Sequence, residues 1–382
     1  MGITIGFVGT GQFAESFIPL FKLHPEVDRI YVTDLVPERA DDACQRLGAD
    51  VAFDSYEALL ASDCDAIAVF TQRWTHGPLV LRALEAGKHV YSTVPMGVSV
   101  EEISRIMSTV ASSGLIYMMG ETSYYYPAAV YARQRLEAGD FGRIFYAEGD
   151  YVHDMDLGFY AAYQYSGGDR WRETASYPPM MYPTHAIGGV LSVLGSHAVS
   201  VSCIGVRDDR GDGVFDREIS MFENDFSNAS ALFELSDGGV MRTNEMRRVG
   251  YPSHIRESRY RYFGTEASLE QLAEVSVWQD KKQVFDISNE LALQDALGGG
   301  ARVHDRSRLP AEYLDKIHRG HEGSHPFLAN DFVRAISTKT LPPVNAWVAA
   351  RFTIPGIIAH QSALRGGERL AVPDFGDPSS TR

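Results

Sequence analysis

ITIGFVGTGQFA, residues 3–14, is an apolar, β-branched run followed at once by a G-x-G-x-x-A turn. A strand, a tight turn and a helix start in this order place backbone N–H groups and a helix N-terminus against an anionic pyrophosphate. The glycine pattern alone is weak evidence, because many glycine-rich turns match it by accident. The sequence that follows therefore has to decide whether this turn binds a dinucleotide.

A second apolar strand, residues 29–33, ends on Asp34, 20 residues after Ala14. A carboxylate at this position bonds the ribose hydroxyls of NAD and repels the extra phosphate of NADP. No arginine follows directly to receive that phosphate. The alternative is a surface turn with an ordinary strand-end aspartate. Because strand, glycines, helix and acid are all in register, we favour an NAD site.

Length, charge and cysteine content restrict the class of protein to which this chain can belong. The chain has 382 residues, which favours two domains, and a formal net charge of −15, which disfavours a nucleic-acid or anionic-membrane partner. Its three cysteines are widely spaced and lack a C-x-x-C pattern, so they indicate a reducing cytoplasm rather than a disulfide framework. No apolar run approaches the roughly 20 residues of a membrane span, and we expect no export signal.

Short apolar strands alternate with helical stretches through about residue 120, which predicts βαβ units around a parallel sheet. The predicted strands there are 3–8, 30–33, 66–70, 89–92 and 116–120, and the predicted helices are 14–23, 37–47, 56–61, 77–86 and 100–112. Beyond residue 120 the predicted strands of a mainly antiparallel sheet are 143–152, 198–206, 227–235, 239–245, 258–264 and 267–278. Helices are predicted at 124–138, 326–337 and 345–364, and residues 286–310 are expected to be irregular.

The fold class is therefore α/β in two domains. We predict an NAD-binding Rossmann domain at residues 1–122, an α/β domain for substrate and oligomerisation at 123–372, and a tail at 373–382. The last helix of the second domain is the segment with an alternative placement, against the Rossmann domain.

The G-x-G-x-x-A turn, the acid at position 34, the run EAGKHV at residues 85–90 and the C-terminal antiparallel sheet together resemble the Gfo/Idh/MocA oxidoreductase family. The resemblance covers nearly the whole chain. It implies an open sheet that commonly packs against another subunit, hence a homodimer or homotetramer. Members of this family usually oxidise a sugar or cyclitol hydroxyl with NAD or NADP.

The chain departs from the family where the catalytic lysine is normally found. The family motif Glu-Lys-Pro is replaced by Thr93-Val94-Pro95, and a valine cannot carry a proton. The family aspartate three residues after the histidine of a later helix is also absent, since His185 is followed by Gly188. An inactive relative is therefore one alternative.

Several short motifs resemble the branch of this family that became NAD-dependent glycosidases, with glycoside hydrolase family 109 as its best-known member. They are YVHD at 151–154, RWR at 170–172, YPTH at 182–185, Trp74-Thr75-His76, and the valine before Pro95. The YPTH motif is the most specific of these matches. One departure is Thr93, because the glycosidases usually have glutamate there.

These motifs and the resemblance give a predicted site for proton transfer beside NAD. The predicted catalytic residues are His185, Tyr182 and His153. The predicted cofactor residues are Gly9, Gly11, Gln12, Phe13, Asp34, Thr71, Trp74, His76, Thr93, Val94, Pro95 and Glu121. The predicted substrate contacts are Tyr124, Tyr126, Asp154, Arg170, Trp171, Arg172, Arg247 and His321.

Each catalytic prediction has a structural alternative. His185 is also consistent with a hydrogen-bonding residue at a helix start, Tyr182 with an aromatic packing residue, and His153-Asp154 with a solvated turn. No metal is predicted, because Gly323 and Ser324 between two histidines favour a loop over a ligand-bearing helix.

The resemblance implies a glycosidase that uses NAD. In this mechanism the sugar is oxidised at carbon 3, the leaving group is eliminated, water adds back and carbon 3 is reduced again. An anionic glycoside such as a sulfoquinovoside is a candidate substrate, because arginines cluster around Arg247. The alternatives are an NAD-dependent sugar or cyclitol dehydrogenase and a non-catalytic NAD-binding protein.

Overall fold

The computed structural model describes residues 2–252 and 254–378, which divide into two compact units. The first unit contains the chain up to residue 126, residues 292–350 and the stretch from 375. The second unit contains residues 127–291 and 351–374. Within the described residues, no helix has both the length and the apolar character needed to cross a bilayer.

The strands, in chain order, are β1 (Ile3–Val8), β2 (Val27–Thr33), β3 (Val51–Ala52), β4 (Ala66–Val69), β5 (His89–Ser92), β6 (Tyr117–Met119), β7 (Ile144–Val152), β8 (Ala198–Arg207), β9 (Phe226–Leu235), β10 (Val240–Met246), β11 (Ser258–Gly264), β12 (Ala267–Gln271), β13 (Ser276–Asp280), β14 (Val284–Asp286) and β15 (Leu370–Ala371).

The α-helices are α1 (Ala14–Leu23), α2 (Pro37–Asp42), α3 (Tyr56–Leu60), α4 (His76–Glu85), α5 (Val100–Ser113), α6 (Pro127–Glu137), α7 (Phe159–Gly167), α8 (Trp171–Ala175), α9 (Thr184–Leu194), α10 (Ser288–Leu291), α11 (Ala311–Leu314), α12 (Gly320–Gly323), α13 (His325–Thr338) and α14 (Ala346–Leu364). A π-helical turn, Ala43–Leu47, continues α2, and short 3-10 turns lie at Arg73–Thr75, Thr122–Tyr125, Gly168–Arg170, Pro179–Met181, Asp295–Leu297 and Arg306–Arg308.

The first unit is built on a six-stranded sheet in the order β3-β2-β1-β4-β5-β6, in which every described pair is parallel. Its central strands are buried on both faces, as the fully enclosed Ile5, Phe7 and Ile67 indicate. Such continuous apolar runs are typical of parallel strands covered by helices on both sides. The predicted Rossmann-type sheet is confirmed.

Residues 292–350 belong to the first unit, whereas the sequence assigned them to the second domain. The ring of Phe332 on α13 packs edge-on against Phe21 of α1 and Tyr91 of β5. The hydroxyl of Tyr313 on α11 donates to the carbonyl oxygen of Leu20 at 2.9 Å. These long-range contacts add helices to the sheet, and local periodicity does not predict them.

The second unit is built on a nine-stranded sheet in the order β14-β13-β12-β11-β7-β10-β9-β8-β15. Among the strands that the structure describes, only the pair β7 and β10 is parallel. The predicted, mainly antiparallel sheet is confirmed. The single strand predicted at 267–278 is corrected to two strands, because a turn closed by the Leu272 N–H and the Val275 carbonyl interrupts it.

Strand β7 separates two chemical environments through its alternating side chains. Gly149 and Tyr151 face helix α9: a Cβ on Gly149 would collide with the carbonyl oxygen of Ala186, and the Tyr151 ring contacts His185. On the opposite face, Glu148 forms ion pairs with arginines of β10 and β11. The predicted catalytic region is therefore on the α9 face of the sheet.

Candidate functional site

The glycine-rich turn has the geometry of a cradle for an anionic group. Gly9 has a φ of +87°, and a Cβ there would lie 2.6 Å from the carbonyl oxygen of Phe70. A Cβ on Gly11 would meet no heavy atom of the described residues within 4 Å, so the space in front of α1 is open. An open turn at the N-terminus of a ten-residue helix fits a diphosphate group.

Asp34 ties the end of β2 to this turn. Its carboxylate accepts hydrogen bonds from the Thr10 backbone N–H at 2.8 Å and from the Thr10 hydroxyl at 3.2 Å. The Val36 N–H donates to its other oxygen at 2.9 Å. The carboxylate is therefore held at the strand end beside the glycine turn, where the ribose of a bound dinucleotide is recognised.

His76 holds the loop that replaces the family lysine motif. Its Nδ1 lies 2.8 Å from the carbonyl oxygen of Pro95, and its Nε2 lies 3.1 Å from the Thr71 carbonyl and 3.2 Å from the Thr93 hydroxyl. Burial lowers the pKa of this imidazole. The ring is therefore neutral near pH 7, and it anchors a loop whose Val94–Pro95 peptide is cis.

The remaining predicted cofactor residues of the first unit have varied surroundings. Gln12 is exposed and Trp74 is half-buried. Phe13 packs edge-on against His321, with ring centres 5.2 Å apart, and against His325. The two imidazoles share a hydrogen bond of 2.9 Å between His321 Nδ1 and His325 Nε2. Within the first unit, His321 therefore lies against the glycine turn.

Glu121 and the tyrosines after it follow β6. The buried Glu121 carboxylate accepts a hydrogen bond from the Ser123 N–H at 2.8 Å. Tyr126 is buried and Tyr124 is half-buried, with its ring 5.0 Å from that of Tyr125. The half-buried Tyr124 is thus the better placed of the two predicted substrate tyrosines to offer ring surface to a ligand.

The predicted catalytic residues of the second unit meet around Tyr151. Its hydroxyl lies 2.9 Å from Nδ1 of His153. Its ring centre is 4.9 Å from that of His185 and 6.1 Å from that of Tyr182. The Tyr182 and His185 rings are 5.3 Å apart in an edge-on arrangement. Residues of the YVHD and YPTH motifs therefore meet around Tyr151, a member of the first motif for which no role was predicted.

Local structure explains why these side chains converge. His185 is in the first turn of α9, after the Pro-rich segment that ends in Tyr182 and Pro183. The close approach at Gly149 brings that turn against β7, and residues 151 and 153 share a face because strand side chains alternate. The hydroxyl of Tyr260 on β11 donates to the carbonyl oxygen of His185 at 2.8 Å and fixes the helix start.

Glu257 is the charged neighbour of this cluster. Its Oε1 lies 3.7 Å from Nε2 of His153. Partial burial raises the pKa of the Glu257 carboxyl, while His185 and Arg247 act in the opposite direction. No sequence motif pointed to Glu257, because its position next to His153 follows from the pairing of β7 with β11, in which Tyr151 faces Ser258.

Arg247 forms the other wall of the cluster. Its guanidinium lies 4.9 Å from the centre of the Tyr151 ring and donates to the buried Glu245 carboxylate at 2.8 Å. Glu245 faces Tyr151 in the register of β10 with β7. Positive charge over the face of a phenol ring stabilises negative charge on that ring.

Asp154 and the RWR motif have other contacts. Asp154 accepts hydrogen bonds from the N–H groups of Asp156 and Val249, so it fixes the loops at the end of β7. Trp171 is buried in a small apolar cluster that includes Met155 and Phe215. The neighbouring arginines are exposed; one pairs with Glu173 and the other lies over the Trp171 ring. The roles of Arg170, Trp171 and Arg172 as substrate contacts stay predictions.

Comparisons with known proteins agree with this architecture. Residues 3–121 match the model of the GFO_IDH_MocA family, described as an oxidoreductase family with an NAD-binding Rossmann fold. A levoglucosan dehydrogenase solved with NADH superposes with a TM-score of 0.77 at 17% identity, over 98% of this chain and all of that one. At this identity the likeness shows the fold.

Curated relatives match shorter stretches. An alpha-N-acetylgalactosaminidase of Bacteroides fragilis is 33% identical over 139 residues, which are 35% of this chain and 32% of that protein. The scyllo-inositol 2-dehydrogenase (NAD(+)) of Bacillus subtilis is 30% identical over 126 residues, 33% of this chain and 37% of that protein. The chain thus spans about a third of the length of these relatives. Residues 3–121 of this chain therefore match the Gfo/Idh/MocA oxidoreductase family in its NAD-binding Rossmann fold.

Proposed function

We propose that this protein is an NAD-dependent glycoside hydrolase that acts by transient oxidation at carbon 3 of the sugar. The observation that carries the proposal is the cluster of Tyr151, His153, Tyr182 and His185 within the second unit, which gathers imidazole and phenol groups in a chain that has Val94 instead of the family lysine. The similarity to an alpha-N-acetylgalactosaminidase supports the hypothesis of a glycosidase.

The residues of the first unit fit NAD. The glycine turn would hold the diphosphate at the start of α1, and Asp34 would bond the adenosine ribose. When bound, NAD supplies a hydride acceptor that returns the same hydride at the end of the cycle, so that no cofactor is consumed.

The protein's own task is to move protons. The reaction needs a base for the carbon 3 hydroxyl, a base for the hydrogen on carbon 2 and an acid for the leaving oxygen. A ketone at carbon 3 makes the carbon 2 hydrogen acidic enough for a side chain to remove it. We assign these three roles to His185, Tyr182 and His153 as a group, since each carries a titratable proton.

An assay with chromogenic glycosides tests the proposal. The purified protein, supplied with NAD, is offered a panel of neutral, N-acylated and sulfonated nitrophenyl glycosides, while aglycone and NADH are followed together. The proposal predicts catalytic release of the aglycone with no net NADH. If neither aglycone nor NADH forms although the protein still binds NAD, the result would support a non-catalytic NAD-binding protein and contradict the proposal.

A sugar or cyclitol dehydrogenase is the second candidate. The similarity to a scyllo-inositol 2-dehydrogenase (NAD(+)) favours it. In a dehydrogenase, His185 and Tyr182 would replace the family lysine. Oxidation of a free sugar would then give stoichiometric NADH, and no aglycone would be released. The same assay, run with free sugars and inositols, separates the two candidates.

A more specific question is whether the substrate sugar carries an anionic substituent. The Arg247 guanidinium lies over the Tyr151 ring, and its charge is already balanced by the buried Glu245. A sulfonate or carboxylate would therefore have to share this guanidinium with Glu245. Faster turnover of the sulfonated members of the panel would support an anionic substrate, such as a sulfoquinovoside.

We further propose a homodimer or homotetramer. The sheet face opposite α9 exposes Ile204 and Val206 of β8 and Leu232 of β9, all more than half accessible. Ser202 pairs with Leu232, so these three side chains share one face. Exposed apolar side chains on a common sheet face are typical of an interface between copies. Light scattering of the purified protein measures the oligomeric state directly.

A further inference from the structure

The contacts around Tyr151 extend from the predicted catalytic residues to solvent. Tyr151 is 4% exposed, the His153 side chain 15% and the Glu257 side chain 50%. The three are joined in this order by the 2.9 Å hydrogen bond at Nδ1 of His153 and the 3.7 Å approach at its Nε2. Exposure therefore rises step by step along a connected series of proton-carrying groups.

We infer that Tyr151, His153 and Glu257 form a proton path that connects the His185–Tyr182 site with bulk solvent. This inference rests on the proposed function, and it adds two residues, Tyr151 and Glu257, that the sequence motifs did not assign. The reaction requires such a path, because the proton of the carbon 3 hydroxyl must leave for the oxidation and return for the reduction.

The positions of the two nitrogens of His153 give the path a direction. A carboxylate next to Nε2 favours the tautomer with its hydrogen on Nε2, which leaves a lone pair on Nδ1. In that tautomer the lone pair would accept a hydrogen bond from the Tyr151 hydroxyl, which lies 2.9 Å from Nδ1. Glu257 is thus a positioning residue that acts through His153, and the separation of 3.7 Å makes its effect mainly electrostatic.

A single proton transfer along the path conserves both protons and electrons. The Tyr151 hydroxyl gives its proton to Nδ1 of His153, and the phenol oxygen takes up a proton released at the site. The imidazolium then loses its Nε2 proton on the side of Glu257 and solvent. One proton enters at Tyr151 and one leaves at His153, and no electrons move. Arg247 over the Tyr151 ring stabilises the phenolate character of this transfer.

Other charged and titratable groups around the path set its operating range. His185 and Tyr182 face Tyr151 from α9 and the segment before it, while Arg247 and Glu245 face it from β10. Burial raises the pKa of the Glu257 carboxyl, with His185 and Arg247 opposing that shift. Because only the carboxylate form orients His153, the path loses its orienting charge as the pH falls through this raised pKa.

Glu257→Gln tests the orienting role, because it removes the charge and keeps the size. We expect kcat for the glycoside identified by the panel to fall about tenfold or more, with KM little changed, and the acid limb of the pH profile that belongs to Glu257 to disappear. Glu274→Gln is the matched control, since Glu274 lies 3.9 Å from His254 in an exposed pair of the same kind. It should leave kcat unchanged.

His153→Ala tests the path itself. We expect a similar loss of kcat that added imidazole restores in a concentration-dependent way, because a small buffer molecule takes over the transfer to solvent. A purely structural role for His153 predicts no such rescue. Unchanged kcat in Glu257→Gln, or a His153→Ala variant that imidazole does not rescue, would overturn the inference.

A measurement without turnover separates this inference from the proposed function. The nitrogen chemical shifts of His153 in the uniformly labelled full-length protein, assigned by comparison with His153→Asn, report its tautomer. We expect hydrogen on Nε2 in the wild type and a mixture of tautomers in Glu257→Gln. Hydrogen on Nδ1 in the wild type would overturn the path even if the glycosidase is active. If no glycoside is turned over, the tautomer result still decides the geometry that the inference requires.

Discussion

The expected preference of this protein for NAD depends on a single side chain. Asp34 binds the glycine turn through Thr10 and presents a negative charge at the end of β2. A carboxylate there favours the two free ribose hydroxyls of NAD over the phosphate of NADP. The preference for NAD is thus attributed to one charge and not to the shape of the turn.

Asp34→Asn should weaken NAD binding about tenfold or more and reduce the discrimination against NADP. A hydrogen bond to a charged group contributes roughly 1.5–3 kcal/mol, and this substitution removes the charge while it keeps the shape. Titration calorimetry with both cofactors gives the two affinities. Asp41→Asn, at an exposed position of α2, is the control, and equal NAD affinity in Asp34→Asn and wild type would contradict the assignment.

His360 should make the protein less stable in acid. Burial lowers the pKa of this imidazole to about 4, with Asp225 and Arg217 acting in opposite directions. In the unfolded chain His360 is protonated near pH 6.5, whereas in the folded chain it stays neutral down to about pH 4. The free energy of unfolding therefore falls as the pH drops from 6.5 towards 4. This difference corresponds to about 2 kcal/mol of unfolding free energy lost between pH 7 and pH 5.

Denaturant unfolding at the two pH values measures this effect. The loss between pH 7 and pH 5 should be about 2 kcal/mol smaller in His360→Gln than in wild type. His254→Gln changes an exposed histidine and should keep the wild-type dependence on pH. An identical dependence in His360→Gln and wild type would mean that His360 is not the group responsible.

At the scale of elements, the packing of α9 on β7 forms the predicted catalytic region. Gly149 lets the helix backbone approach the strand, and this approach brings His185 to the ring of Tyr151. Gly189 makes a similar close contact, with the Tyr260 ring, on the same helix. The alignment of the proton-carrying groups thus depends on glycines that themselves carry no chemistry.

Gly149→Ala should disturb the site without touching any of its side chains. The added Cβ would collide with the carbonyl oxygen of Ala186, and such overpacking costs about 1–3 kcal/mol of stability. We expect a lower unfolding free energy together with a lower kcat, as α9 shifts away from β7. In Gly250→Ala the new Cβ meets no heavy atom within 4 Å in the described part of the chain, so this control should behave like wild type. Full activity and stability in Gly149→Ala would contradict the proposed role of this contact.

Across the whole molecule, local sequence patterns predicted the helices and strands, whereas non-local strand pairing determined which residues meet at the predicted catalytic site. The bounds of β1, β5 and α1 agree with the sequence prediction because their apolar spacing is regular and their ends carry turn residues. Glu257 was missed because it meets His153 only through the β7–β11 register, 104 positions away. Residues 292–350 were assigned to the second domain for the same reason, since their contacts with α1 and β5 are long-range.

The cluster around Tyr151 was predictable in part. The sequence selected His153, Tyr182 and His185 through motifs and a family resemblance, and the structure brings them together within the second unit. It also placed Trp171 among the substrate contacts; this side chain packs in an apolar cluster, and its contact with substrate stays a prediction. A motif identifies which residue types are present, but the packing around each residue determines what it can contact.

Deuterium incorporation is the most direct test of the central claim that a glycosidic bond is cleaved through oxidation at carbon 3. The reaction is run in D2O with NAD and the best glycoside of the panel, and the released sugar is analysed by NMR and mass spectrometry. Oxidation at carbon 3 should give one deuterium at carbon 2 of the product, aglycone release and no net NADH, because the carbon 2 proton is removed and replaced from solvent. Aglycone release with no deuterium at carbon 2 would contradict it.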